Sequence, residues 1–186
     1  MLKKMLGTAV VLTLGSALPV HATTVSLAPD SSWQPFDVSD VLSNDQGLGW
    51  FDINNGDPLK FTIDVGANKS VMLMVTDAGY AGDVFQVFDN GVSLGLTSDV
   101  PASANGLNVD LDFHAALASS SFSHGSFLLG AGLHTITGLL AQSSAEASNS
   151  TVGFLSAAPV PLPAPALLMI SGIAGLLMRR RKPVAA

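Results

Sequence analysis

The stretch Asp83-Val84-Phe85-Gln86-Val87-Phe88, then Asp89-Asn90-Gly91, then Val92-Ser93-Leu94-Gly95-Leu96 constrains the fold more than any other part of the chain. Asn-Gly is the pair a type I′ turn asks for, because both central positions need positive φ, and the flanking runs have β-branched and aromatic residues with short spacing. Residues 83–97 are therefore predicted to form a β-hairpin, and one hairpin commits its neighbours to a sheet. Lys60-Phe61-Thr62-Ile63-Asp64-Val65 alternates apolar and polar residues cleanly, as a half-buried strand does. Ser70-Val71-Met72-Leu73-Met74-Val75-Thr76 is more continuous, the pattern of a strand buried on both faces. Ser126 to Leu129 and Leu133 to Leu140 flank Gly130-Ala131-Gly132, and Thr151 to Leu155 supplies a last strand. Only Asp112 to Ser119 reads as briefly helical, with a loop as the equal alternative. Ser26 to Asn55, with Trp33, Phe36, Trp50 and Phe51, is predicted to contain one or two further strands. The fold class is all-β, a single antiparallel β-sandwich of jelly-roll-like kind.

The two ends of the sequence have a different character. Lys3 and Lys4, an apolar run from Met5 to Leu18, Pro19 and the small-residue ending Val20-His21-Ala22 have the three parts of a secretory signal peptide, with cleavage after Ala22. At the other end, residues 166–178 carry no charge and are followed at once by Arg179, Arg180, Arg181 and Lys182. Three segments follow: a signal peptide (1–22), an exported sandwich (23–158) and a tail (159–186). Within the tail, Pro159, Pro161, Pro163 and Pro165 alternate and force an extended spacer, so a helix must begin near Pro165 and run to 178. That helix reaches only ~20 Å, short of the ~30 Å hydrocarbon core of a bilayer, so it makes a thin anchor. The basic stop at 179–182 stays on the cytoplasmic side, which puts the body outside.

Charge sharpens the picture. The body keeps two cations, Lys60 and Lys69, against all fourteen acids, a formal net charge of −12. Such a surface repels phosphate backbones and excludes nucleic-acid binding, attracts cations, and serves solubility or life in a salty medium. With no cysteine, disulfides, thiolate catalysis and Cys-zinc sites are excluded, and stability must come from the core alone.

Several constellations invite chemistry. Gly91-Val92-Ser93-Leu94-Gly95 fits G-x-S-x-G, but a nucleophile elbow needs a strand before the serine and a helix after it, whereas here a turn precedes and a strand follows. Ser93 as a hydrolase nucleophile is the weakest of the functional alternatives, and no catalytic residue is assigned. His114, His124 and His134 stand ten apart without the close spacing of zinc ligands. Asp52 to Asp57 has oxygen ligands at alternate positions, but Pro58 follows and the twelfth-position Glu of an EF-hand is missing, so turn chemistry accounts for it. Asp77, Asp83, Asp89 and Asn90 flank consecutive strands, and Asp110 and Asp112 could join them. Calcium held between sandwich loops is the one cofactor these residues admit. Trp33, Trp50, Phe51 and Tyr80 could stack sugar rings, whereas the phenylalanines at 61, 85, 88, 113, 127 and 154 are assigned to the core. A calcium-dependent carbohydrate-binding module is accordingly the alternative reading of the body.

Val160-Pro161-Leu162-Pro163-Ala164, the apolar helix with Ser171-Gly172 and Gly175, and the cluster Arg179-Arg180-Arg181 resemble a PEP-CTERM sorting domain of the VPLPA type, with Leu162 where the commoner form has Glu. The resemblance implies a substrate of an exosortase, the membrane transpeptidase of Gram-negative bacteria, cut near Pro163-Ala164 after signal peptidase has removed the leader. It implies a transient membrane stage followed by a cell-surface or extracellular location, linked to exopolysaccharide and biofilm. The body is also similar to other exported proteins with this tail over Val75 to Gly91 and a Gly-x-His-Thr-Ile-Thr-like strand, a likeness that carries no activity. The expected role is structural or adhesive, not enzymatic.

Overall fold

The computed structural model describes residues 22–38, 49–104, 106–143 and 151–161. Nine strands form two sheets: β1 (Thr23–Ser26), β2 (Trp33–Val38), β3 (Leu59–Val65), β4 (Val71–Ala78), β5 (Val84–Asp89), β6 (Val92–Leu96), β7 (His124–Leu129), β8 (Gly132–Gln142) and β9 (Thr151–Pro159). One sheet runs β1-β3-β8-β5-β6 and the other β2-β9-β4-β7. Among the described residues the one α-helix, α1 (Phe113–Leu117), lies in the excursion between β6 and β7, where the brief helical signal stands; the Asp112 carboxylate caps it by accepting from the amides of His114 and Ala115 at 3.0 Å. The chain is thus an all-β protein of two packed sheets. Residues 1–21 of the predicted leader, residues 144–150 and the tail beyond Pro161 lie outside the described residues. Among the described residues no helix is long and apolar enough to cross a membrane.

Period-two patterning builds the core. Leu59, Phe61, Ile63 and Val65 on β3 meet Val71, Leu73 and Val75 on β4, with Phe85 and Val87 from β5, Ile136 from β8, and Leu155 and Ala157 from β9. The hairpin is present, with Asn90 at φ 49° and Gly91 at φ 79°, although β5 and β6 slip register between Val87 and Phe88 at a bulge.

Three expectations change. The sandwich is not wholly antiparallel: β1 pairs parallel with β3, Thr23 opposite Leu59 to Ser26 opposite Thr62. The chain leaves β1 for the other sheet as β2 before it returns as β3, so no hairpin forces the two to oppose. Strand β4 is buried on both faces only at its end. Met72 and Met74 remain half-exposed, whereas Thr76 and Ala78 are covered by the 98–123 excursion, whose own small core joins Ala81, Ala104, Ala116 and Phe122. Of the phenylalanines assigned to the core, 88, 113 and 127 are only half-buried.

Residues 49–58 close one side of the sandwich. Phe51 exchanges backbone hydrogen bonds with Asp37 of β2, while the Trp50 amide donates to the Gly138 carbonyl of β8. The segment after it turns at Asp52–Asp57, where the Asp52 and Asn55 side chains accept from the amides of Asn54 and Asp57 and Gly56 takes φ 73°.

Candidate functional site

Alternation along β4 points Val71, Leu73 and Val75 into the space between the sheets, and the next inward position is Asp77. Nothing of its side chain reaches solvent. The chain then turns back through Gly79 and Gly82, both at positive φ, and brings the amides of Gly82 and Asp83 to 3.3 Å from Asp77 Oδ2. Asp83, 1% exposed, stands just before β5, and its Oδ2 accepts a 2.9 Å hydrogen bond from the hydroxyl of Thr151, the first residue of β9. The Gly82 carbonyl is held in turn by the Gln142 amide at 3.2 Å. Asp77 Oδ1 is buried and has no hydrogen-bond partner. Burial first, and the charge of Asp83 second, push the Asp77 carboxyl up to about 9, against the opposing pull of the Asp83, Gly82 and Ala78 amides.

At the far end of β5 a second polar group forms. His134 Nδ1 lies 2.7 Å from Asp89 Oδ2, and its Nε2 lies 3.0 Å from the Gly130 carbonyl. Burial works against the charged ring, but the Asp89 hydrogen bond, the Gly130 carbonyl and the Asp89 charge together raise its pKa. Beside it, Asn90 accepts from the Thr135 amide at 3.1 Å and donates to the Leu133 carbonyl at 3.2 Å, which ties the hairpin turn to β8.

The four residues expected to share a calcium ion are therefore split into two pairs. Asp77 and Asp83 lie at one end of β5, Asp89 and Asn90 at the other, and a strand of this length holds its ends roughly 20 Å apart. Asp110 and Asp112 do not complete either pair; Asp112 is committed to capping α1. Among the described residues no three His, Asp or Glu side chains converge as a metal cluster. The three spaced histidines are dispersed over α1, β7 and β8. Ser93 is exposed on β6, where it accepts from the Gln86 amide at 3.2 Å, and the chain continues as strand, without the helix of a nucleophile elbow.

The aromatic residues do not assemble a sugar platform. Trp50 and Phe51 are core residues, Trp33 stacks half-buried on Phe113 with centroids 5.0 Å apart, and Tyr80 stands exposed by itself in the loop after β4. Thr151 is the residue of the acidic pair that the sequence reading passed over. It meets Asp83 across 68 positions, and nothing local announces that contact.

The tail's first residues are anchored to the body. Pro159 pairs with Val71, and the Val160 amide donates to the Ser70 carbonyl at 3.0 Å. They border a groove of about 440 Å³ lined largely by Val65, Val71, Pro29, Lys69, Pro159 and Val160.

No family model and no curated protein matches the chain. Solved structures similar to it include the pre-peptidase C-terminal domain of a collagenase from Bacillus anthracis, at 9% identity and TM-score 0.38 over 76% of this chain and 99% of that one. Another is the insecticidal delta-endotoxin Cry8Ea1 from Bacillus thuringiensis, at 13% identity and TM-score 0.38 over 74% of this chain; the match spans only 26% of the toxin.

Proposed function

We propose that this protein is an exported, exosortase-processed component of the cell surface or extracellular matrix, and that its body is a non-catalytic jelly-roll sandwich with a structural or adhesive role. The order β2-β9-β4-β7 facing β3-β8-β5-β6, with β1 added at one edge, supports the jelly-roll assignment, since eight strands ordered this way comprise two Greek keys. The observation that carries the sorting reading is the sequence Val160 to Ala164, apolar 165–178 and basic 179–182, in that order after the folded body. The recognised segment begins where the sandwich's last described backbone hydrogen bond ends, at Val160. Alternating prolines favour an extended chain, the form a protease cleft accepts. Signal peptidase would act after Ala22, an exposed residue immediately before β1. A serine hydrolase gains no support from Ser93, and a sugar-binding face gains none from the buried tryptophan.

The intact mass of the protein recovered from its native cells tests this. The expected species starts at Thr23 and ends close to Pro163, with any attached group adding to that mass. Recovery of a chain that still carries residues 164–186 would overturn the sorting reading and leave a plain anchor.

A further inference from the structure

We propose that Asp77 and Asp83 hold a divalent cation, Ca²⁺ by the chemistry of the donors, at the end of the sandwich where β4, β5 and β9 meet, with Thr151 positioning the Asp83 carboxylate. Two carboxylates stand where the alternation of β4 and the start of β5 would otherwise place core side chains, 0% and 1% exposed. A buried carboxylate is costly unless something balances its charge. The two lysines of the body do not approach Asp77: Lys69 precedes β4 at the opposite end of that strand, and Lys60 occupies an outward-facing position of β3. The second, independent observation is Asp77 Oδ1, a fully buried acceptor without a donor, while its partner oxygen is already occupied by two amides. An ion bound there takes the free oxygen and leaves the amide bonds intact.

The donor set is all oxygen, from two carboxylates and the Thr151 hydroxyl, with no cysteine in the chain; that composition suits Ca²⁺ over zinc or copper. The strongly negative body raises the local concentration of cations. The pair is built from Asp77 of β4 and Asp83 of the turn, with Thr151 of β9 on Asp83 and Gln142 of β8 holding the carbonyl of Gly82. Asp89 and Asn90 are excluded from the site by the length of β5.

Thermal unfolding of the purified full-length protein at pH 7.5, in EGTA and across a Ca²⁺ titration, is the test, with calorimetric titration for stoichiometry. One Ca²⁺ per chain and a rise in Tm of roughly 5 °C or more at saturation are expected. Asp77→Asn and Asp83→Asn should abolish the response, and Thr151→Val, which keeps shape and loses only the hydroxyl, should weaken binding about tenfold. An unchanged Tm in Ca²⁺, together with an Asp77→Asn chain more stable than wild type in EGTA at pH 8, would show that a proton alone occupies the pair. A Ca²⁺ response that survives Asp77→Asn would place the ion elsewhere and equally overturn the proposal. Should the Asp83 variant fail to fold, Thr151→Val and the wild-type stoichiometry still decide. None of these readouts depends on tail processing, so the cation site and the sorting reading stand or fall separately.

Discussion

Gly138 on β8 and Gly153 on β9 face each other across the sandwich with two rings between them. Phe36 lies over Gly153, Trp50 lies over Gly138, and the rings stack on each other at 4.0 Å with 20° between their planes. Two stacked rings fill the ~10 Å between sheets only if neither strand adds a Cβ. A Cβ built on Gly138 would sit 2.1 Å from Trp50 and one on Gly153 would sit 2.2 Å from Phe36. Gly138→Ala and Gly153→Ala should each destabilise by about 3 kcal/mol in urea unfolding, because both rings are locked between backbones and have nowhere to shift. Gly130→Ala, where a Cβ meets nothing within 4 Å, should change stability by less than about 0.5 kcal/mol and serves as the control. The His134–Asp89 pair gives a pH-dependent prediction in which stability falls as pH rises. A histidine whose folded pKa is raised contributes stability that is fully present below its ordinary value of 6.5 and is lost as pH rises through the folded value. The advantage of wild type over Asp89→Asn should therefore be larger at pH 5.5 than at pH 8.5, by up to about 1 kcal/mol, as read from unfolding midpoints at the two pH values.

At the scale of elements, the β5–β6 hairpin owes its turn to two residues with different jobs. Gly91 supplies positive φ in open space, so Gly91→Ala should cost about 1 kcal/mol of backbone strain and no clash. Asn90 also adopts positive φ but binds Leu133 and Thr135 of β8 through its side chain, so Asn90→Ala should cost about 2 kcal/mol; chemical denaturation of both variants ranks them. Elements of this local kind were legible in the sequence. The hairpin, β3, β7, β8 and the start of β9 were set by alternation and turn residues within a dozen positions, whereas α1 showed only as a brief helical signal whose Asp112 cap the structure supplies. What escaped was non-local. β1 pairs in parallel because the chain crosses to the other sheet and back, and no residue in Thr23–Ser26 encodes the direction of a partner more than thirty positions away. Trp50 could be placed in a sugar platform because its burial is decided by Gly138, far along the chain. The acids of the candidate cation site were visible as a group of four, yet their division into pairs depends on the length of β5. Thr151 gave no signal at all.

For the whole molecule, the place of β9 decides how much of the C-terminal chain the sandwich can lose. β9 is the last strand in sequence but sits inside its sheet, between β2 and β4, and contributes Leu155 and Ala157 to the core and Thr151 to the acidic pair. Folding therefore waits for the C-terminal part of the body, since loops of more than seventy residues must close before β4 finds β9. A chain ending at Gln142 leaves β2 and β4 without the strand that joins them and should show no cooperative unfolding transition by circular dichroism. A chain ending at Pro161 keeps every described strand and should unfold within about 2 °C of the full-length protein. A cut near Pro163 falls on the permissive side of that boundary by two residues, so a transpeptidase acting there would release a complete sandwich; a cut only a few residues earlier would begin to strip Val160 from Ser70 and Pro159 from Val71. If the chain ending at Pro161 instead melts far below the full-length protein, the tail is part of the stable fold, and its removal is incompatible with a folded surface protein.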